Sequence, residues 1–222
     1  MKIRLALLIL LFFSFFTQAE EQPKSFDRLI NTLVNCDADF FNVLEQSKTE
    51  LSPYVEITSI DAARAYIQVE NRAKTKDNLK LFNTPINYKS LSFIGYYDSA
   101  LKLDKYGNYY FWGFVIDGEI ENIKNTLNMV DWHSMEENNL YIANPKILFT
   151  DNPKNTWQNN DQVVVGVKTM PSQNTAEKLL LLENSKEQVL LVCSIQGFLP
   201  EELIKIERPD LDDNHINQNK LN

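Results

Sequence analysis

The chain has 222 residues, with 22 basic and 30 acidic side chains, a formal charge of −8, two histidines, two cysteines and six glycines. A net negative surface repels phosphate backbones and anionic headgroups, which argues against nucleic acid and peripheral membrane binding. So few histidines, cysteines and glycines leave little with which to build a zinc site or a glycine-rich phosphate loop; neither a metal nor a nucleotide cofactor is expected.

Lys2 and Arg4 precede an apolar run from Leu5 to Phe16, and Thr17-Gln18-Ala19 follows it. That order is a cleavable secretory leader, residues 1–19, with the cut after Ala19. A membrane-spanning helix needs about 20 apolar residues, and this run is too short, so no anchor is expected after cleavage. The mature chain then carries 20 basic and 30 acidic side chains, a balance of −10. Its destination is the periplasm or the exterior, where thiols oxidise, so Cys36 and Cys193 are expected to form one disulfide. Closing a loop of more than 150 residues stabilises by about 5 kcal/mol in the chain-entropy model.

From Ser25 to Leu51 apolar residues recur three and four apart, the spacing of an amphipathic helix. Cys36 shares a face with Leu29, Leu33 and Phe40. Asp37 offers a cap at which this stretch would divide, but one long or kinked helix, ended at Ser52-Pro53, is the preferred reading. Short β-type runs follow at 65–70, 79–82, 91–97 and 109–116, separated by Pro, Asn, Asp and Gly. The run Tyr109–Ile116 is apolar on both alternating faces and reads as a central strand. Asp117 then opens a short helix through Ile120, Ile123 and Leu127.

A second series places strands at 140–149, 162–169, 178–183 and 188–195, then a helix from Pro200. The fold expected is therefore α+β: an antiparallel sheet with the long N-terminal helix packed on it, in a single domain over 20–207. Four strands and a helix occur twice, over 61–130 and 131–207, which suggests two similar halves; a single sheet without duplication fits the pattern too. Residues 208–222 are polar and aperiodic and read as a disordered tail.

Candidate chemistry is sparse. His215 lies in the tail. His133, two residues from Asp131, is the better acid–base candidate, since alternate strand residues share a face. The carboxylate pairs Asp37/Asp39, Glu136/Glu137 and Asp212/Asp213 lack the glycine and spacing of a calcium loop and read as caps and solvated faces. The most individual feature is aromatic density. Tyr96, Tyr97, Tyr106, Tyr109, Tyr110 and Trp112 either fill a sheet core or form a binding surface; the turn Tyr106-Gly107-Asn108 favours exposure of the rings beside it.

The segments Ile94-Gly95-Tyr96-Tyr97-Asp98, Tyr109–Phe114, Ala143-Asn144-Pro145-Lys146 and Ala176–Leu182 resemble those of uncharacterised exported proteins of Gram-negative bacteria. The resemblance implies a periplasmic location and carries no activity or functional residue. The function expected is that of a non-catalytic binding protein, of immunity or inhibitor type, whose acidic surface engages a basic protein partner. The alternatives are an envelope hydrolase using His133 with a carboxylate, and a structural or small-ligand envelope module.

Overall fold

Two central strands carry most of the apolar alternation, and their pairing organises everything else. The computed structural model describes residues 23–103, 105–135, 140–151, 156–164, 171–185 and 188–211. The leader, His215, Glu136/Glu137 and Asp212/Asp213 lie outside them. The elements in order are α1 (Phe26–Val34), α2 (Asp39–Leu51), β1 (Thr58–Ser59), β2 (Ala65–Tyr66), β3 (Leu79–Tyr88), β4 (Leu91–Leu103), β5 (Gly107–Asp117), α3 (Ile120–Thr126), β6 (His133–Met135), β7 (Leu140–Phe149), β8 (Gln158–Asn159), α4 (Asp161–Val164), β9 (Thr175–Ser185), β10 (Gln188–Gly197) and α5 (Glu201–Glu207). The fold is α+β. One antiparallel eight-stranded sheet runs β3-β4-β5-β10-β9-β7-β6, with β8 also paired to β7, while β1 and β2 form a separate two-stranded ribbon.

The helical stretch at the N-terminus is two short helices, not one long one. Cys36 adopts φ +48°, the left-handed region. Its amide donates to the Leu33 carbonyl at 2.8 Å, and the Asp37 amide donates to the Thr32 carbonyl at 2.9 Å. Those two bonds define a Schellman stop, a role usually given to glycine. Asp37 then restarts the chain, its Oδ1 accepting from the Asp39 amide at 3.0 Å. The apolar spacing ran through this break because both helices bury the same side: Phe26, Leu29, Leu33, Phe40, Phe41 and Leu44 are all fully buried. Glu50 of α2 ties the pair together by accepting the amides of Lys24 and Ser25 ahead of α1.

Alternation assigns the two faces of the sheet. Trp112, Phe114 and Ile116 of β5, with Val189, Leu191, Cys193 and Ile195 of β10, share one buried cluster with α1, α2 and α3. Tyr110 continues that inner face beneath Ile204 of α5. The opposite, outer face carries Tyr97, Leu101 and Leu103 of β4, Tyr109, Phe111 and Val115 of β5, and Leu190 and Val192 of β10. Across the centre of the inner face, registered pairs place Asp98, Trp112, Cys193 and Leu180 in one row. Cys36 bonds to Cys193 within that row, with Cα atoms 5.4 Å apart across 157 residues of chain. Both cysteines are buried.

Several expected boundaries move. β3 extends through Pro85 to Tyr88 because it is an edge strand, where the missing amide of proline is tolerated, and its pairing with β4 breaks between Leu81 and Ile86. The run 65–70 pairs only at Ala65–Tyr66. The strand expected at 162–169 begins as a helical turn, Asp161–Val164, and continues outside the described residues. At the far end of the central pair, Gly107 (φ +84°) lies so close to Gly197 that a Cβ there would stand 2.3 Å from the Gly197 carbonyl oxygen. Only glycine fits at that crossing.

The passages β5–α3 and β10–α5 close with the same hydrogen bonds, 81 residues apart. Amides of Ile123, Leu127 and Val130 donate to the carbonyls of Glu119, Ile123 and Leu127; those of Ile204, Arg208 and Leu211 donate to Pro200, Ile204 and Arg208. The last of these corrects the expected tail: Arg208, Asp210 and Leu211 are buried. Among the described residues no helix is long and apolar enough to cross a membrane.

The disulfide clamps the helical pair to the centre of the sheet. Replacing both cysteines by alanine is expected to lower unfolding stability by about 5 kcal/mol, read from urea denaturation at neutral pH. A loss below about 1 kcal/mol would show that packing alone holds α1 and α2 in place.

Candidate functional site

The aromatic run divides between core and surface. Tyr96, Tyr110 and Trp112 are at most 1% exposed and Tyr109 is buried, so these four are not a binding surface; Tyr97 is half-buried and Tyr106 alone stands out, 43% exposed. The buried rings interlock: Phe40 stacks on Tyr96 at 6.4 Å, and Phe114 meets Phe93 edge-on at 5.5 Å. Alternation put them there, because Tyr96, Trp112 and Phe114 all point toward α2. Burial pushes the Tyr96 hydroxyl well above its ordinary pKa, and Asp98 adds to the rise.

Beneath those rings lies a charge cluster that the sequence pattern did not reveal. Arg72 Nε donates to Asp98 Oδ2 at 2.7 Å, and its Nη2 donates to Asp210 Oδ2 at 2.7 Å. Arg208 Nη2 donates to Asp98 Oδ1 at 2.9 Å and to Asp210 Oδ2 at 2.8 Å. Two guanidinium groups and two carboxylates thus close a ring of alternating charge, with Arg208 and Asp98 fully buried. The Arg208 guanidinium also lies 4.8 Å from the centre of the Trp112 ring. Burial by itself would pull the Arg208 pKa down and push the Asp210 pKa up. The opposite charges outweigh it in both cases: Asp210 and Asp98 hold Arg208 well above its ordinary value, and Arg208 with Arg72 holds Asp210 below its own. The cluster fastens the chain after α5 to β4 and to the loop after β2. Its members come from three distant segments, so no local spacing betrays it.

A second clip holds α5 at its other side. Glu207 accepts from Trp157 Nε1 at 2.6 Å and from Lys178 Nζ at 2.8 Å, and the Lys178 ammonium stands 4.7 Å from the centre of the Trp157 ring. On the outer face Glu177, 2% exposed, accepts from Gln196 Nε2 at 2.9 Å.

His133 sits on β6 with its Nε2 3.5 Å from Asp131 Oδ2, an aspartate that is 90% exposed. It is paired across the strand with Ile142. Asp37 and Asp39 serve the helix junction: Asp37 accepts the Asp39 amide at the start of α2, and Asp39 Oδ1 accepts from Asn42 Nδ2 at 2.8 Å. Among the described residues no group of three or more His, Cys, Asp or Glu side chains converges as metal ligands would.

The outer face ends in an apolar rim. Leu101 and Leu103 at the end of β4 and Phe149 at the end of β7 are each 41–42% exposed, and Tyr106 follows Leu103 on the β4–β5 turn. Leu81 of β3, on the same face, is 59% exposed. Next to the rim a cavity of about 440 Å³ is lined by Lys102, Asn108, Thr150, Phe198 and Leu199. No protein family matches the chain, and neither a curated protein nor a solved structure resembles it significantly.

Breaking one side of the charge ring leaves a buried ion without its partner, which typically costs about 3–5 kcal/mol. Arg208→Leu and Asp98→Leu are each expected to lose about that much in urea unfolding. The double variant should lose less than the sum, because Arg72 and Asp210 remain as a matched pair. The carboxyl of Asp210 is depressed in the folded state, so its contribution is complete above the ordinary aspartate value of about 3.9 and fades as pH falls below it. The native protein should therefore lose stability more steeply below pH 4 than the double variant; parallel curves would remove the ring from the acid response.

Proposed function

We propose that this chain is an exported, non-catalytic binding protein of the periplasm that engages a protein partner with a basic surface, in the manner of an immunity or inhibitor protein. The apolar rim of the outer face carries this reading. Large apolar side chains exposed on a sheet face are costly in water, and Leu101 and Leu103, two residues apart on β4 just before Tyr106, offer a surface to another molecule. All the longer helices lie on the other face, so the rim is reachable. The net charge of −8 favours a basic partner and steers its approach.

The disulfide supports an oxidising, exported compartment, and the leader expected from the sequence together with the resemblance to exported Gram-negative proteins favours the periplasm over the exterior. We read the two series of strands as copies of one unit, β3-β4-β5-α3 and β7-β9-β10-α5. The strand order mirrors itself about the β5–β10 pair, and the shared hydrogen bonds 81 residues apart support the same view. A hydrolase using His133 rests on its approach to Asp131. It predicts that His133→Ala abolishes an envelope-degrading activity.

The binding reading is tested by retaining periplasmic proteins on the immobilised mature chain and on Leu101→Asp/Leu103→Asp, across a salt series. The expected result is a basic protein held stoichiometrically at low salt, released as salt rises, and lost from the variant. Equal retention by both forms, or nothing retained at low salt, would overturn it.

A further inference from the structure

The two sides of the sheet treat their outermost long strands differently. On one side β7 has its outer edge occupied: β6 pairs with Leu140–Ile142, and β8 pairs with Lys146 and Ile147 through Asn159 and Gln158. On the other side β3 is, among the described residues, the edge of the sheet. Registered rows make the correspondence specific. Lys146 neighbours Lys178, Ile195 and Tyr110 in turn, and Lys80 neighbours Tyr96, Phe114 and Leu191. Lys80 and Leu81 therefore stand on β3 where Lys146 and Ile147 stand on β7, the positions that receive β8.

At this point the β3 edge opens onto a cavity of about 330 Å³, with Leu79 and Lys80 on one wall and Glu56, Thr58, Gln68 and Glu70 on the other. The chain closes the gap at both ends. Asn83 donates its amide to the Tyr54 carbonyl at 2.8 Å, and Asn71 donates to the Asp77 carbonyl at 2.9 Å. What remains is an opening along the outer edge of β3 that begins at Leu79 and Lys80. Two carboxylates against one ammonium leave it net negative, and Glu56 and Glu70 are exposed at its rim. An uncovered sheet edge offers unpaired amides and carbonyls to any extended segment that fits.

We propose that the outer edge of β3, at Leu79–Phe82, receives a short extended segment of a basic protein partner as an added strand, just as β7 receives β8. Backbone hydrogen bonds to β3 supply the docking, and Glu56 and Glu70 select lysine or arginine on the incoming strand. The exposed Leu81 continues the outer face toward that edge, so a partner spanning both would bury it. This rests on the protein-binding reading above and names how that partner attaches.

The test uses the mature protein and a capped octapeptide of alternating lysine and threonine, beside a twin N-methylated at every second residue. The twin keeps every side chain and charge but cannot pair along one edge. Expected are binding of the first peptide, at least tenfold weaker binding of the twin, and amide NMR shifts confined to the opening at 79–82 and 56–70. Glu56→Lys/Glu70→Lys, which alters only exposed side chains, should also weaken binding at least tenfold. Equal binding of both peptides, shifts elsewhere, or binding of neither overturns strand addition. Retention of a basic protein lost in Leu101→Asp/Leu103→Asp would, in that event, leave the broader reading standing. Peptide discrimination at β3 with no protein retained would do the reverse.

Discussion

The pairing of β5 with β10 is the constraint on which the rest of the structure depends. It joins residues about 80 positions apart in antiparallel register from Asn108–Gly197 to Ile116–Val189, so it can form only after a large loop has closed. Such contacts are entropically costly to make, and this chain concentrates its strongest apolar content on them. Tyr110, Trp112, Phe114 and Ile116 face Ile195, Cys193, Leu191 and Val189 across the same ladder. Once that pair exists, β4 and β9 add as hairpin neighbours with short connections. The N-terminal helices then find a finished inner face, and Cys36 meets Cys193 at the middle of it.

The same row explains why the helices α1 and α2 and the segment after α5 are both fixed at the centre of the sheet. Asp98, Trp112, Cys193 and Leu180 lie side by side; the disulfide anchors α1 and α2 to the third, and Arg208 anchors the C-terminal segment to the first while lying over the second. Neither attachment substitutes for the other, since one is covalent and the other electrostatic. Because each holds its segment at a single row, a change at Trp112 would be felt by both.

Much of this was legible where local pattern and final environment agree. The two-sided apolarity of Tyr109–Ile116 could only belong to a central strand, and the disulfide followed from two cysteines and the leader expected from the sequence. The break between α1 and α2 was hidden because the left-handed residue that makes it is a cysteine; glycine at that place would have announced it. Arg208 and Asp210 looked like tail because their surroundings in sequence are polar, yet their partners lie 110 and 138 residues away. The signal available was the offset of 81 residues, which aligns Ile123 with Ile204 and Leu127 with Arg208. It is faint in the sequence, because it sets an arginine opposite a leucine. The aromatic run split for a different reason: strand alternation turns Tyr96, Tyr110 and Trp112 into the core, sends Tyr97, Tyr109 and Phe111 to the outer face, and leaves Tyr106 on the turn.

That mismatch between equivalent positions has a physical consequence. About the centre of the β5–β10 pair, Leu127 and Leu180 on one side correspond to Arg208 and Asp98 on the other, and all four are buried. Had leucine occupied every one of these places, the segments that follow α3 and α5 would find two nearly equivalent docking sites on the sheet. Burying Arg208 against Leu180 would strand a guanidinium in an apolar pocket, at a cost of several kcal/mol. Charge on one side alone therefore makes the two sites distinguishable and gives each segment one place to go. A buried ring of ions adds little to stability over well-packed leucines.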